Sequence, residues 1–338
     1  MPSTSYAMST AAKNIDLKPG HRIIVVQDQM ASNVLPWQML CKENRGILHV
    51  VPRPADYDWT SQLLLELRKF PDEVAAVAVP QCHWTDGSLL DIEVVGRACT
   101  ALHIPLALDV TQSAGMMGID VGVIQPAFLC CSVHKWLLGP YGFCLVYVAK
   151  RYHATGLPLE HFERNRAGSS DPSWDIQGAM TSKGYPEQFE PGARRFDSGG
   201  RLNPIGLPML DLAIQQVVQW QKIEIISVVA QFTSMIASTA RALGLDVPPS
   251  HAPHIVGLRW DGRVSSKSPE QFAMFLKSHK VYVSVRAKAV RISVGVYVTV
   301  QMVHRLCTLM VLFFQMSDSE IMGVSGDSVP MSPTKSRL

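Results

Sequence analysis

Between residues 22 and 148 the chain runs through six short, nearly uninterrupted apolar segments: RIIVV (22–26), ILHVV (47–51), VAAVAV (74–79), IPLAL (104–108), AFLCC (127–131) and FCLVYV (143–148). A strand with one wet face alternates apolar and polar residues, whereas a strand apolar at nearly every position is covered on both faces. Residues 59–69 and 90–102, lying between these runs, space their apolar side chains as helices do. The succession predicts an α/β fold, a mostly parallel sheet sandwiched by helices. In such sheets a ligand lies beyond the carboxyl ends of the strands, so the residues that end each run are the first candidates for chemistry.

Beyond residue 150 the pattern changes. Residues 154–204 are rich in Gly, Pro, Ser and charge and read as a long excursion. One long helix is expected after Pro204, with Gly244 as its stop. Strand-like runs at 254–260, 281–286 and 290–296, the first two separated by the helical SPEQFAMFLKSH, predict a smaller α+β C-terminal domain. The expected boundaries are 1–215 for the large domain, 216–316 for the small one and 317–338 for a disordered tail.

An apolar content of 47% over 338 residues excludes disorder of the whole chain and allows a sizeable core. With 31 basic and 28 acidic residues, a net charge of +3, there is no electrostatic footprint for nucleic acid or an anionic membrane. The longest apolar run near the C-terminus, Leu309 to Phe314, is far short of the ~20 residues of a membrane span. A small-molecule partner is expected, with no nucleic acid and no membrane. The seven cysteines (41, 82, 99, 130, 131, 144 and 307) form no CxxC pair, which suits free thiols in a reducing compartment. MPSTSYAMSTAAKN is not a secretory signal, so a cytoplasmic location is expected.

The most informative segment is Ser132-Val133-His134-Lys135-Trp136, which directly follows AFLCC and precedes the turn Gly139-Pro140-Tyr141-Gly142. Burial disfavours the charged form of an amine, the condition for a nucleophilic, Schiff-base lysine. Asp109 ends the run IPLAL, one strand earlier. A carboxylate there suits a pyridinium nitrogen, which it keeps protonated so that the ring becomes an electron sink. Taken singly, Lys135 reads equally as a surface lysine just outside a strand and Asp109 as a helix N-cap. The pair is the rarer coincidence.

The stretches LALDVTQSAG and CCSVHKWLLGPYGFCLVYV resemble the class V aminotransferase family, pyridoxal-phosphate enzymes of fold type I whose relatives include cysteine desulfurases and kynureninases. SYAMSTAAKN, SNVLPW and RFDSGGRLNPIGLPML are most similar to the isopenicillin N epimerase-like and cysteine desulfhydrase-like group. The resemblance implies pyridoxal 5'-phosphate as a Schiff base on Lys135, with Asp109 at the ring nitrogen and Gln112 at the ring hydroxyl. It places Ser132 and its neighbour His134 near the phosphate, together with the turn Pro2–Tyr6, including Thr4 and Ser5, at a helix N-terminus. Met30 falls where the family puts a His or aromatic residue over the ring; its ordinary reading is a core methionine. His83 matches a family residue near the phenolic oxygen, and is otherwise a structural strand-end histidine. Gly199 and Gly200 lie in a segment similar to the family loop that reaches the neighbouring subunit's phosphate, which implies a homodimer; alone they read as a surface turn. Arg291 matches the arginine that pairs with a substrate carboxylate, and Arg286 reads as an edge-of-strand charge.

Three departures from the family pattern matter. The sequence starts almost on the phosphate turn, where family members carry several tens of residues before it. Val298 and Met302 replace the usual Asn and acid after Arg291. Residues 281–290 contain no cysteine where desulfurases carry a sulfur-accepting one, which disfavours a persulfide-forming desulfurase. The function implied is an enzyme acting on an amino acid, as an aminotransferase or a β-eliminating lyase, with specialised metabolism as the family-level setting. The alternative is a truncated, catalytically impaired paralogue that binds the cofactor or a partner. A dinucleotide-binding protein would need a GxGxxG after its first strand, and none is present.

Overall fold

A computed structural model describes residues 1–167, 187–200, 203–221, 224–286 and 288–317. The tail expected at 317–338 lies, apart from Ser317, outside the described residues, as do Arg201 and Leu202 of the glycine loop. The chain forms two compact units, one of Met1–Trp84 with Ser88–Ile226 and one of Thr85–Gly87 with the chain from Ser227 onward.

The first unit is built on a six-stranded sheet in the order β2-β1-β3-β4-β5-β6. Its strands are β1 (Arg22–Val26), β2 (Ile47–Val51), β3 (Val74–Pro80), β4 (Leu106–Asp109), β5 (Phe128–Ser132) and β6 (Cys144–Val148). All neighbouring pairs are parallel except β5 and β6. The continuous apolar runs have a direct cause. Ile24 and Val26 of β1 point into one core with α3 (Trp59–Lys69) and α4 (Ile92–Ala101), while Ile23 and Val25 point into a second core with α1 (Thr4–Lys13) and α2 (Leu35–Asn44). A short α5 (Val121–Ile124) precedes β5, and α6 (Gly206–Gln221) follows the excursion.

Gly96 sets the approach of α4 to α5, because a Cβ there would run into the carbonyl group of Ile124. Main chain yields far less easily than a side chain. Gly96→Leu is therefore expected to destabilise the protein by roughly 1–3 kcal/mol, measured as a lower urea midpoint at unchanged slope.

The long helix expected from Pro204 to Gly244 is two helices, α6 and α7 (Ile225–Ala242), with Glu224 in the left-handed region at φ 55° between them. The first unit accordingly extends past residue 215 to Ile226, since Val217 packs into the core of the large sheet.

The second unit holds a three-stranded antiparallel sheet, β7 (Ile255–Leu258), β9 (Ala289–Ser293) and β8 (Ser284–Arg286), with β9 central. Its helices are α7, α8 (Pro269–Ser278) and α9 (Val300–Gln315). Phe272, Phe275 and Phe313 pack ring to ring in its core. The three-residue segment Thr85–Gly87 joins this unit through Asp86, whose carboxylate lies 3.2 Å from the guanidinium of Arg259. Gly87 adopts φ 76°, and a Cβ on it would meet the carbonyl of Ile255. Among the described residues α7 alone is long and apolar enough to cross a membrane by length and composition. Its buried residues Val229, Thr233, Ile236, Ala237 and Ala240 follow a single stripe, the pattern of a helix laid against a core.

All seven cysteines are free thiols, and six of them are buried. Burial pushes the thiol of Cys99 up to about 12.

Candidate active site

The parallel register sets the carboxyl ends of β4 and β5 side by side, with Asp109 opposite Cys130. Thr111 follows the first strand end, and Ser132 forms the second. Their hydroxyls meet a third, from Thr4 at the start of α1. The Thr4 Oγ1 lies 2.7 Å from Ser132 Oγ and 3.3 Å from Thr111 Oγ1, and the Ser132 amide donates to Thr111 Oγ1 at 3.0 Å. All three residues are buried. Ser3 caps α1, its hydroxyl accepting from the Tyr6 amide at 3.1 Å. Three hydroxyls at the amino end of a helix can each turn a proton toward an anion that the helix dipole also favours.

Asp109 is buried, and its Oδ1 accepts the Thr111 amide at 3.0 Å. Burial raises its carboxyl above the ordinary aspartate range, while the Thr111 hydrogen bonds and the nearby charge of Lys135 pull it down. Lys135 sits in the reversal between β5 and β6, held by the Leu138 amide on its carbonyl and by the Gly139 amide on Val133. Gly139 gives close packing there, since a Cβ would stand 2.8 Å from Val133 Cγ2 and 2.9 Å from Leu210 Cδ1, and those side chains would have to shift.

The turn after Asp109 and the turn carrying Lys135 are bound to each other. Trp136 Nε1 donates to Gln112 Oε1 at 3.1 Å, which orients the Gln112 amide. Gly115, at φ 91°, lets the Trp136 carbonyl approach to within 2.9 Å of the position a Cβ would occupy. His134 stacks on Tyr141 with ring centroids 4.3 Å apart. Burial and the charge of Lys135 lower its pKa, favouring the neutral imidazole.

His83 follows the end of β3 and is fully buried. Its ring stacks on Trp59, centroids 5.2 Å apart and planes 5° from parallel, and its Nε2 lies 2.9 Å from the carbonyl oxygen of Gln27. A carbonyl only accepts, so Nε2 carries the proton. Trp59 is fixed in turn by its Nε1 donating to Ser88 Oγ at 2.9 Å.

Met30 is 39% exposed at the start of the 3-10 turn Ala31–Asn33, so it is not a core methionine. Ser5 is exposed in the first turn of α1. The Gly199 amide donates to the carboxylate of Glu160 at 2.6 Å, and Gly200 adopts φ 79°. Glu160 also lies beside Tyr6, whose phenol is raised by burial and by that negative charge. Arg291 belongs to the second unit, half-buried on the central strand opposite Gly257 and Ser284, whereas Arg286 is exposed on the edge strand.

The structure thus brings Thr4, Asp109, Gln112, Ser132 and Lys135 to one rim and adds Thr111 and Trp136, which the sequence reading passed over. Thr111 carried a usable signal, since it stands between two candidates in DVTQ. Trp59 and Glu160 carried none. Among the described residues no group of His, Cys, Asp and Glu could hold a metal ion.

Comparison with known proteins bears on the family and the fold. The family model "Aminotransferase class-V" matches residues 2–193. A probable cysteine desulfurase of Pyrococcus abyssi is 27% identical over 152 residues, 44% of this chain and 37% of that protein. A cysteine desulfurase of Salmonella gallinarum is 30% identical over 189 residues, 55% of this chain and 43% of that protein. The chain therefore spans less than half the length of these curated relatives. Among solved structures, the apo cysteine desulfurase of Thermococcus onnurineus superposes with a TM-score of 0.76 at 20% identity, covering 93% of this chain and 78% of that one. A lysine-to-alanine mutant of C-DES, with glycine covalently linked to its PLP cofactor, gives 0.75 at 15% identity, covering 94% and 80%. These likenesses establish the fold.

Proposed function

The chain belongs to the class-V aminotransferase family, and from that premise we propose that it is a pyridoxal-phosphate-dependent lyase that removes a sulfur substituent from the β-carbon of an amino acid. The observation that carries this reading is the convergence of Lys135, Asp109 and the Thr4–Thr111–Ser132 hydroxyls at two adjoining strand ends.

The donor set fits the cofactor. The three hydroxyls and the amino end of α1 suit a phosphate, Asp109 suits a ring nitrogen, and Lys135 supplies an amine. The amide of Gln112, oriented by Trp136, suits the ring hydroxyl. When bound, pyridoxal phosphate supplies an electron sink for the pair left on a substrate's α-carbon. Asp109 holds the proton on the ring nitrogen. Lys135 takes the proton from the substrate's α-carbon. His83 and Trp59, stacked and both fully buried, lie within unit one. Pairing of Arg291 with the substrate carboxylate is part of the same proposal and rests on the resemblance.

For cysteine the balanced reaction consumes one water and yields pyruvate, ammonia and hydrogen sulfide. It needs no acceptor cysteine, in keeping with the cysteine-free stretch 281–290. The names of the relatives, cysteine desulfurases and a cystine C–S lyase, support sulfur as the leaving atom.

The test is to titrate purified protein with pyridoxal phosphate, follow its visible absorbance, and then add cysteine, cystine and a panel of sulfur-free amino acids. Expected are a band that shifts with a sulfur amino acid and equal amounts of pyruvate and reduced sulfur. A keto acid formed without sulfur release would make the chain an aminotransferase, and a band that never shifts would make it an impaired paralogue.

A further inference from the structure

The opposite edge of the large sheet carries a second concavity, of about 590 Å³, to which no role has been assigned. It lies where β4 and β5 begin and the antiparallel β6 ends. Strands of four to five residues at ~3.3 Å per residue separate it by about 15 Å from Asp109 and Ser132. Its volume is in the range of small-molecule sites.

The lining is of two kinds. Ile104 and Pro126 are buried and form an apolar floor, beside the half-buried ring of Tyr147. Lys150, Arg151 and His103 stand exposed at the rim. Among the described residues neither Lys150 nor Arg151 has a carboxylate partner; the guanidinium of Arg151 lies 5.2 Å from the ring of Tyr152. Of the acids nearest the lining along the chain, Asp120 has its Oδ1 turned to the amides of Gly122 and Val123 as the cap of α5, and Glu160 accepts the Gly199 amide.

Backbone geometry adds an independent observation. His103 (φ 55°) follows the end of α4 and Gln125 (φ 53°) ends α5, both in the left-handed conformation that glycine adopts without strain. A side chain at such a position costs stability. Both positions nevertheless carry a long polar side chain, and both residues line the cavity.

We propose that this cavity binds a small organic phosphate, its flat apolar body on Ile104, Pro126 and Tyr147 and its dianion on Lys150 and Arg151, with His103 and Gln125 as hydrogen-bonding flanks. Two adjacent cations with no acid between them match a doubly charged group, and the apolar floor excludes a bare inorganic ion as the best occupant.

The test is calorimetric titration of pyridoxal-phosphate-loaded protein with naphthyl phosphate, using naphthol and inorganic phosphate as the two partial probes. Naphthyl phosphate is expected to bind at least about tenfold more tightly than either, and its affinity to fall with added sodium chloride. The double variant Lys150→Ala with Arg151→Ala should lose about tenfold or more. Gly122→Phe keeps both cations and puts bulk into the cavity, where a Cβ meets only Asp120 Oδ1 at 3.1 Å; it should lose binding as well. Circular dichroism of each variant should match the parent. No binding of naphthyl phosphate, equal binding of naphthol or of inorganic phosphate, or unaltered affinity in the folded double variant would each overturn the proposal.

Discussion

Lys135→Ala is expected to give a folded protein in which the proposed release of pyruvate falls by roughly ten-thousandfold or more, since a positioned proton-transferring group alone contributes up to about that factor. The fold survives because the turn around residue 135 is held by main-chain bonds, the Leu138 amide on the Lys135 carbonyl and the Gly139 amide on the Val133 carbonyl, which alanine keeps. Borohydride treatment followed by peptide mass spectrometry gives the sharper readout. The parent protein should gain the mass of reduced cofactor on the peptide containing Lys135, and the variant should gain none. A cofactor mass on any other lysine of the parent would sink the assignment.

Asp109→Asn changes a charge and almost nothing else. The amide oxygen can still accept the Thr111 amide, so the strand end should keep its shape. What disappears is the negative charge that Lys135 faces. Losing one preorganised electrostatic group at the reacting centre typically costs about two to three orders of magnitude in turnover, and a loss of that size is expected here. Cofactor should remain bound through the hydroxyls of Thr4, Thr111 and Ser132. Turnover equal to the parent would remove Asp109 from the mechanism. The pH dependence offers a second check. Without cofactor, burial raises the Asp109 carboxyl above the usual aspartate range, whereas a protonated ring nitrogen beside it would lower it. Cofactor affinity of the parent should therefore fall on acidification as Asp109 takes up a proton, and that dependence should be absent from the Asn variant.

The large sheet was legible because its inner strands β1, β3, β4 and β5 are buried on both faces, and a strand that must satisfy two cores has no freedom to place polar residues; the edge strands β2 and β6 are apolar in sequence although partly exposed. The six apolar runs match β1 to β6 to within two residues at each end. Asp109 and Lys135 could be picked out for the complementary reason, that a charged residue closing such a run needs an explanation. The break between α6 and α7 was not legible. QKIEIIS contains neither Gly nor Pro, and the left-handed turn falls on Glu224, a residue that favours helix. The stack of His83 on Trp59 joins residues from different elements, and only the packing of α3 against β3 reveals it. The bond from Gly199 to Glu160 was hidden for the same reason, because it spans a segment without periodic pattern. Family likeness located the glycines without indicating which atoms they touch.

The bond between Thr4 and Ser132 crosses 128 positions of the chain. During synthesis at ~5–20 residues per second, Thr4 therefore waits several seconds before the strand that completes its surroundings has even been made. Closing so large a loop is slow. A phosphate docked across the two residues would act as a clasp on the finished sheet. It would hold this long-range contact closed, and so lengthen the lifetime of the folded unit as cofactor supply rises.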